Sequence, residues 1–245
     1  MTGNAGATLI VMPAWNEERS VATVIADVFR VLPHAHCLVV DDGSSDGTAA
    51  VARAAGAMVA SLPFNMGVGG AMRFGFKFAR NNGYDAVVQI DADGQHNPQD
   101  AIALLDALKT ADIAIGARFA GVGDYRVRGP RKWAMRLLSS VLSRVAHAKL
   151  TDTTSGFKAS GPKAISLFAE NYPAEYLGDT IEAIVIAARE GCQIVQVPVA
   201  MRERLAGTPS QGSFRSALYL ARVSVSLLFA IVKPTASYSV KAATS

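Results

Sequence analysis

The sequence predicts an α/β fold with a mainly parallel central sheet flanked by helices. Short apolar runs alternate with segments of helical periodicity through the first half of the 245 residues, and this alternation is typical of parallel sheets. Half of the residues are hydrophobic, which is enough for a sizeable core. Polar clusters follow three of the apolar runs. In parallel sheets, ligands bind beyond those strand ends, so one shared site is expected there.

The strands and helices can be assigned in chain order. Gly56 and Gly83 stand where a glycine commonly ends a helix. The predicted strands cover residues 7–12, 37–42, 57–62, 86–90, 112–118 and 193–199. The predicted helices cover residues 20–32, 48–56, 69–83, 98–109 and 178–190.

The second half of the chain has a different pattern. Residues 126–149 contain seven Lys or Arg and no Asp or Glu. Within them, residues 131–148 predict an amphipathic helix with a basic face, and residues 213–232 add a second apolar segment that Arg222 interrupts. The predicted organisation is therefore a main domain, a C-terminal apolar or amphipathic helix and a flexible tail, at residues 1–212, 213–233 and 234–245.

Composition bears on the compartment and the partners. Cys37 and Cys192 both lie in apolar runs, which predicts buried free thiols and a reducing compartment. The N-terminus lacks the pattern of a signal peptide. No run reaches the ~18 apolar residues of a spanning helix. The net charge is only +4, and nucleic acid is not among the expected partners. A cytoplasmic protein is expected.

The segment VVQIDADGQH, residues 87–96, places two carboxylates after a short apolar run. A strand interior cannot bury a carboxylate pair unless something compensates the charge. Asp91 and Asp93 are therefore expected at the strand end, where Gly94 lets the chain turn. Such a pair suits a hard divalent cation. The alternative is that it only caps the following helix, in which Pro98 suits the first position.

Two further motifs follow strands. In DDGSSDGT, Asp46 suits a helix N-cap, whereas Asp41 and Asp42 need a partner. An aspartate at the end of a second strand can hold a ribose in dinucleotide-binding folds. In FNMGVGGAMRFG, residues 64–75, the glycines predict close helix packing and a tight turn, with phosphate contact as the alternative.

Several site classes are disfavoured. PAWNEE after the first strand lacks the glycine-rich turn of a dinucleotide fold, and the Walker pattern of a P-loop is missing. An Asp-x-Asp phosphotransferase is disfavoured because three strands precede the pair here. Ser155 has no base near it in the sequence and is no elbow nucleophile. The four histidines offer no pair at metal spacing, and His96 alone stands beside the acidic cluster as a candidate for substrate contact.

Five motifs, in their order and spacing, resemble family-two glycosyltransferases of the GT-A fold: PAWNEE, VVDDGSSDGT, N-x-G-x-G-x-A-x-R, DADGQH and TSGFK. The likeness is strongest to the dolichol-phosphate mannose synthase group and covers roughly residues 7–212. It implies an aromatic platform at Trp15, where the family usually has Tyr. The implied nucleotide contacts are Pro13, Trp15, Glu17, Val40, Asp42, Asp91, Ala92, Gln95 and Arg204.

The same resemblance implies a metal site and a catalytic set. Asp91, Asp93 and Gln95 would hold Mg²⁺ or Mn²⁺ beside the diphosphate of the donor. Asp93 is assigned to catalysis together with Arg118 and Arg131, which match phosphate-binding positions of polyprenyl-phosphate glycosyltransferases. The C-terminal VPVAMRERLAGTPS is similar to a family segment that ends in Lys, but Ser210 occupies that position here.

The resemblance implies an inverting transfer of a sugar from a GDP- or UDP-linked donor to a polyprenyl phosphate. An acceptor phosphate is already an anion and needs no general base. A saccharide or other hydroxyl acceptor would need one, and Asp179 or Glu182 would then be the candidates. A non-catalytic nucleotide-sugar-binding or scaffold protein is a third hypothesis.

The expected location is peripheral, at the inner face of the cell membrane. The basic amphipathic helix at residues 131–148 has the pattern of an interfacial segment, and the apolar residues 217–232 are too short to span the bilayer comfortably. Packing of both helices within the protein is the alternative. A homodimer or a membrane-protein partner is left open.

Overall fold

The fold is taken from a computed structural model that describes residues 6–118, 139–146, 148–173 and 179–205, with the backbone only for Asp179. Seven strands of this described part form one sheet, in the order β3-β2-β1-β4-β6-β5-β7. The strands are β1 (Thr8–Ala14), β2 (His36–Asp41), β3 (Met58–Ser61), β4 (Ala86–Gln89), β5 (Ile113–Ala117), β6 (Lys158–Ser160) and β7 (Ile194–Pro198). The helices are α1 (Val21–Val31), α2 (Thr48–Ala54), α3 (Gly67–Asn81), α4 (Pro98–Ala107), α5 (Pro162–Asn171) and α6 (Asp179–Arg189). Residues 139–145 are also helical.

The first half of the sheet is entirely parallel. Strand β1 pairs with β2 and β4, and β2 pairs with β3. The residues of β1 alternate between two apolar layers. Leu9 and Val11 face α3, α5 and α6, whereas Ile10 and Met12 face α1, α2 and α4. Burial on both faces explains why this strand reads as a continuous apolar run.

Close packing of α3 on the sheet depends on Gly75. A Cβ atom there would lie 2.5 Å from Cγ1 of Val11, which is closer than such atoms come in folded proteins. A side chain at this position would therefore push the helix away from β1. This confirms the close-packing interpretation of the glycine-rich motif.

Strand β6 interrupts the parallel order. It runs antiparallel to both neighbours and pairs Ala159 with Val88 of β4 and with Ala114 of β5. Strand β7 then adds to β5 in parallel. The turn before β6 therefore reaches the same sheet edge as the carboxyl ends of β1, β2 and β4.

The structure confirms the α/β class, the mainly parallel sheet and the order of the predicted strands. It adds β6 and α5, which the sequence pattern did not reveal. Cys37 and Cys192 are buried and free, as predicted, and burial raises the pKa of the Cys37 thiol to about 12. The predicted boundaries at 212 and 233 and the amphipathic segments at 131–138 and 213–232 lie outside the described residues. Among those the structure describes, no helix is long and apolar enough to cross a membrane.

Candidate active site

A cleft of about 330 Å³ opens at the carboxyl ends of β1, β2 and β4. The three strand-end motifs meet there because parallel strands end at a common edge. The turn before β6 and the start of α6 complete the cleft through Thr154, Gly156 and Thr180. Eight predicted site residues line it: Pro13, Trp15, Glu17, Asp42, Asp91, Ala92, Asp93 and Arg204.

Asp91 and Asp93 lie just beyond β4, on a turn in which Gly94 has a φ of 80°. The side chain of Asp91 is 37% exposed, whereas that of Asp93 is 9% exposed. Asp93 accepts a hydrogen bond from the backbone N–H of Gln95 at 2.9 Å. Burial, followed by the negative charge of Asp91, raises the pKa of Asp93. The turn thus holds two carboxylates whose repulsion a cation would relieve.

Gln89, which the sequence did not assign, and His96, which it offered as a candidate for substrate contact, hold Asp91 in place. Gln89, the last residue of β4, donates from Nε2 to Oδ1 of Asp91 at 3.1 Å. His96 is buried, stacks on Phe157, and accepts from the backbone N–H of Asp91 through Nδ1 at 3.0 Å. His96 therefore orients the acidic turn and does not line the cleft.

Arg204 supplies the positive charge of the cleft. Its Nη2 lies 2.8 Å from Oδ2 of Asp93, and its Nη1 lies 3.6 Å from Oε1 of Glu17. Burial raises the pKa of Glu17, while a hydrogen bond from Ser20 and the charge of Arg204 act in the opposite direction. Arg204 thus joins the first motif to the acidic turn.

Backbone hydrogen bonds hold the segment that carries Arg204. Leu205 donates its N–H to the carbonyl of Asp93 at 3.0 Å, and Arg202 donates its N–H to the carbonyl of Gln95 at 2.9 Å. The segment therefore runs beside the acidic turn. This explains how residues so distant in sequence reach one site.

Trp15 lines the cleft and is 53% exposed. The next residue, Asn16, has a φ of 56°, which is uncommon for a residue other than glycine. Asn16 accepts from the backbone N–H of Ser45 at 2.9 Å, and its own N–H donates to the hydroxyl of Ser44 at 2.9 Å. These bonds hold the local conformation that directs Trp15 into the cleft.

The partners of Asp41 and Asp42 are backbone N–H groups. Asp42 accepts from Met66 at 2.7 Å and from Gly67 at 2.8 Å, so its carboxylate satisfies donors at the start of α3. Burial raises the pKa of Asp42 in spite of these bonds. Asp41 accepts from the N–H of Ser44 at 3.1 Å. Asp42 therefore both lines the cleft and fixes the glycine-rich turn.

Arg118 lies at the end of β5, where it is paired with Asp152. Its Nε and Nη2 lie 2.6 and 2.9 Å from the two carboxylate oxygens, and Nη2 also donates to the hydroxyl of Thr154 at 2.6 Å. The side chain of Asp152 is 0% exposed. Burial acts to raise the pKa of Asp152, but the hydrogen bonds and charge of Arg118 outweigh it, and the pKa lies below its usual range.

Gln196 of β7 completes this support. Its Oε1 accepts from the N–H of Thr151 at 2.7 Å, and its Nε2 donates to the carbonyl of Asp152 at 2.6 Å. Arg118 and Gln196 thus hold the turn that carries Thr154 into the cleft. The contacts of Arg118 with Asp152 and Thr154 support this turn. Its phosphate-binding role stays a prediction.

Several predicted residues are placed away from the cleft surface. The side chain of Val40 is fully buried in the core, so any nucleotide contact would have to come from its backbone. Gln95 is half-buried and contacts the site through its backbone. Glu182 is exposed on α6. Arg131 and the side chain of Asp179 lie outside the described residues.

The oxygen ligands at the acidic turn are of the type that a hard cation prefers, but they are too few to fill its coordination shell. Asp91 and Asp93 offer carboxylate oxygens, which Mg²⁺ and Mn²⁺ accept. Within the described ranges, no group of three or more His, Cys, Asp or Glu residues is arranged to hold a metal ion. The protein would therefore supply part of a coordination shell, and phosphate oxygens of a ligand would supply more.

Several known proteins are similar to this chain. Residues 9–166 match the family described as Glycosyl transferase family 2. The polyprenol monophosphomannose synthase of Mycolicibacterium smegmatis is 30% identical over 86% of this chain and 84% of that protein. The undecaprenyl-phosphate mannosyltransferase of Micrococcus luteus is 35% identical over 81% of this chain and 85% of that protein.

A solved structure has the same fold. The glucosyl-3-phosphoglycerate synthase of Mycobacterium tuberculosis, crystallised with Mn²⁺, uridine diphosphate and phosphoglyceric acid, superposes with a TM-score of 0.70. The match covers 94% of this chain and 80% of that chain at 22% sequence identity. At this identity the likeness establishes the fold alone.

Proposed function

Since the chain belongs to glycosyl transferase family 2 and is a glycosyltransferase, we propose that it transfers a sugar from a GDP- or UDP-linked donor to a polyprenyl phosphate, with inversion and with a divalent cation. One observation carries this proposal. Trp15, Asp91, Asp93 and Arg204 converge on a single cleft, which combines an aromatic surface, two carboxylates and a guanidinium. That set matches a nucleoside diphosphate better than an uncharged ligand.

The donor would bind with its base against Trp15 and its diphosphate near Arg204 and the acidic turn. Asp91 and Asp93 would hold Mg²⁺ or Mn²⁺, which supplies charge neutralisation for the departing diphosphate. Arg204 binds phosphate oxygens, because a guanidinium pairs with two of them at once. Gln89 and His96 keep the backbone and side chain of Asp91 in the orientation that binding requires.

The transfer itself needs one nucleophile and one leaving group. An oxygen of the acceptor phosphate forms a bond to the anomeric carbon, and the bond from that carbon to the nucleoside diphosphate breaks, so that the configuration inverts. The acceptor is already an anion, and no side chain has to remove a proton. A saccharide hydroxyl would need a base. Of the two candidates, Glu182 is exposed and does not line the described cleft, and the side chain of Asp179 lies outside the described residues.

The acceptor is distinguished by a matched pair of lipids. Radiolabelled GDP- and UDP-sugars are offered with polyprenyl phosphate or with the unphosphorylated polyprenol of equal length, and the product is extracted into organic solvent. Label in the organic phase with the phosphate alone is the expected result. Label on a saccharide, or equal label on both lipids, would support a hydroxyl acceptor instead. Hydrolysis of the donor with no transfer to any acceptor would contradict the proposal.

The proposed enzyme acts at the cytoplasmic face of the membrane, where its lipid acceptor is anchored. Phe64 is 64% exposed, and Met66 and Val68 are also exposed, on the turn before α3 and in its first residues, beside the cleft. Residues 47–84 contain no Asp or Glu, so this stretch does not repel anionic lipid. A homodimer or a membrane-protein partner is a further option for the same location.

Flotation with anionic liposomes tests the location. Phe64→Ser should weaken association, whereas Ile102→Ser, which changes an exposed apolar residue on α4, should leave it unchanged. High salt should reduce association for every form. Absence of association at any salt concentration would refute membrane binding by this chain alone.

A further inference from the structure

Both carboxylate oxygens of Asp93 have partners within the protein. Oδ1 accepts from the N–H of Gln95 at 2.9 Å, and Oδ2 lies 2.8 Å from Nη2 of Arg204. Asp91 differs, because its side chain is 37% exposed and no arginine or lysine is paired with it in the described contacts. A cation entering the cleft therefore meets Asp91 partly exposed, with a hydrogen bond from Gln89 and with Nε2 of His96 at 3.7 Å, whereas Asp93 is already paired with the positive charge of Arg204.

Arg204 is the one basic side chain among the described residues that line the cleft. Glu17, Asp91 and Asp93 share the cleft with it. Asp42, the fourth acidic residue there, is bound to backbone N–H groups. Four carboxylates and one guanidinium leave the cleft net negative, so Arg204 offsets a repulsion that a divalent cation would offset more fully.

The attachment of the segment allows Arg204 to change partners without moving the chain. Arg202, two residues before it, lies 2.9 Å from Asp27 and donates to Oδ1 of Asn97 at 2.6 Å, outside the cleft. The backbone bonds of Arg202 and Leu205 hold the segment on both sides of Arg204. Only the side chain of Arg204 has to turn away from Asp93 for that carboxylate to become available.

We propose that Arg204 is an internal counter-ion that competes with the divalent cation for Asp93, so that the cation binds tightly only when a nucleoside diphosphate draws the guanidinium to its phosphates. This inference rests on the proposed function, since it takes Asp91 and Asp93 as cation ligands. Metal and nucleotide then bind cooperatively, and each raises the affinity for the other by the same factor. This competition keeps the affinity for the divalent cation low until a donor is bound.

The test measures Mn²⁺ binding directly, without turnover. Free Mn²⁺ is followed by electron paramagnetic resonance in titrations of the wild type, Arg204→Gln and Arg202→Gln, with and without GDP or UDP. Without nucleotide, Arg204→Gln should bind Mn²⁺ roughly tenfold more tightly, because one positive charge a few ångströms from the site has been removed. Arg202→Gln, the matched control on the same segment, should bind as the wild type does.

Titrations with nucleotide should show a second difference between the wild type and Arg204→Gln, in how far the nucleotide tightens Mn²⁺ binding. GDP or UDP should tighten Mn²⁺ binding in the wild type by a larger factor than in Arg204→Gln, because the variant has no competing group to withdraw. Arg204→Lys should stay close to the wild type in nucleotide-free affinity, since it keeps the charge. Circular dichroism checks folding, and Arg204→Ala repeats the test with a second neutral side chain.

The outcomes separate this inference from the proposed function. Equal or weaker nucleotide-free Mn²⁺ affinity in the folded neutral variants overturns the competition. Absence of Mn²⁺ binding in every form, with nucleotide present, overturns both the competition and the cation site. Tighter binding in the neutral variants with unchanged affinity in Arg202→Gln is the result that supports the proposal.

Discussion

Two of the arginine–aspartate pairs in the described structure, Arg118–Asp152 and Arg204–Asp93, behave differently. Arg118 binds both oxygens of Asp152, a fully buried carboxylate, and holds its pKa below the usual range. Arg204 reaches one oxygen of Asp93 at 2.8 Å, and the pKa of Asp93 is raised by burial and by the nearby Asp91. A pair with complete hydrogen bonding and balanced charge stabilises the fold. The Arg204–Asp93 pair lies among further carboxylates, so a charged ligand can still change its contacts.

The largest expected effect comes from Asp93→Asn. Transfer should fall by about 100- to 1,000-fold, because a group that stabilises developing charge is worth several kcal/mol at the transition state. The free energy of unfolding should change little, because Asp93 is buried beside Asp91 and its raised pKa shows that the fold does not stabilise its negative charge. Steady-state rates and urea unfolding measure the two quantities. Asp106→Asn, an exposed change on α4, is the control, and near-normal turnover by folded Asp93→Asn would contradict the cation-site assignment.

Asp152→Asn should act mainly on the free energy of unfolding, whereas Asp93→Asn acts mainly on transfer. Loss of the carboxylate leaves Arg118 without its charged partner, and breaking a buried pair costs about 3 kcal/mol or more. Unfolding free energy measured in urea should drop by that amount, while Asp27→Asn, at an exposed pair, should cost about 0.5 kcal/mol. Equally small losses of unfolding free energy in Asp152→Asn and Asp27→Asn would show that the pair of Asp152 with Arg118 does not stabilise the fold.

The difference in stability between the wild type and Asp152→Asn should depend on pH. The pKa of Asp152 is lowered from its ordinary value of 3.8, so its stabilisation is fully present above that value. As pH falls below it, the unfolded chain takes up a proton first, and the stabilisation is lost as pH passes through the folded pKa. Urea unfolding between about pH 7 and pH 3 checks this. A difference that stays constant to the acid limit would contradict the assignment.

Gln196→Ala should have a smaller effect than Asp93→Asn has on transfer or Asp152→Asn has on stability. It removes the hydrogen bonds to Thr151 and to the carbonyl of Asp152, and net losses of this kind are about 1 to 2 kcal/mol. The change should lower the melting temperature and raise the Michaelis constant of an acceptor more than that of the donor, because it loosens the turn before β6. Gln193→Ala, which changes an exposed residue directly before β7, serves as the comparison.

The cleft's strand-end residues could be predicted from the sequence because each of them follows its own strand directly. PAWNEE, DDGSSDGT and DADGQH are local signals, and the rule for parallel sheets brings them together. The prediction that an uncompensated carboxylate pair needs a partner was also sound. Asp42 has that partner in the N–H groups of Met66 and Gly67, whereas Asp93 has it in Arg204.

The residues that the sequence did not reveal depend on pairing between distant segments. Strand β6 has only three residues, too few for a period, and it lies between β4 and β5. Asp152 and Gln196 acquire their roles only through that arrangement. Gln89 reads as an ordinary strand residue until the position of Asp91 is known, and His96 stands beside the acidic motif without showing that it binds the backbone there.

The insertion of β6 also bears on how the chain folds. Strands β1, β2 and β3 pair only with one another and with β4, all within residues 8–89, so these four strands can assemble early during synthesis, which proceeds from the N-terminus. Until β6 arrives, β4 is an open sheet edge, the kind of surface that promotes association between chains. Asp91 and Asp93 likewise emerge from the ribosome long before Arg204. Pulsed hydrogen exchange should protect the amides of β1 and β2 before those of β6, and simultaneous protection would show that the sheet closes in one step.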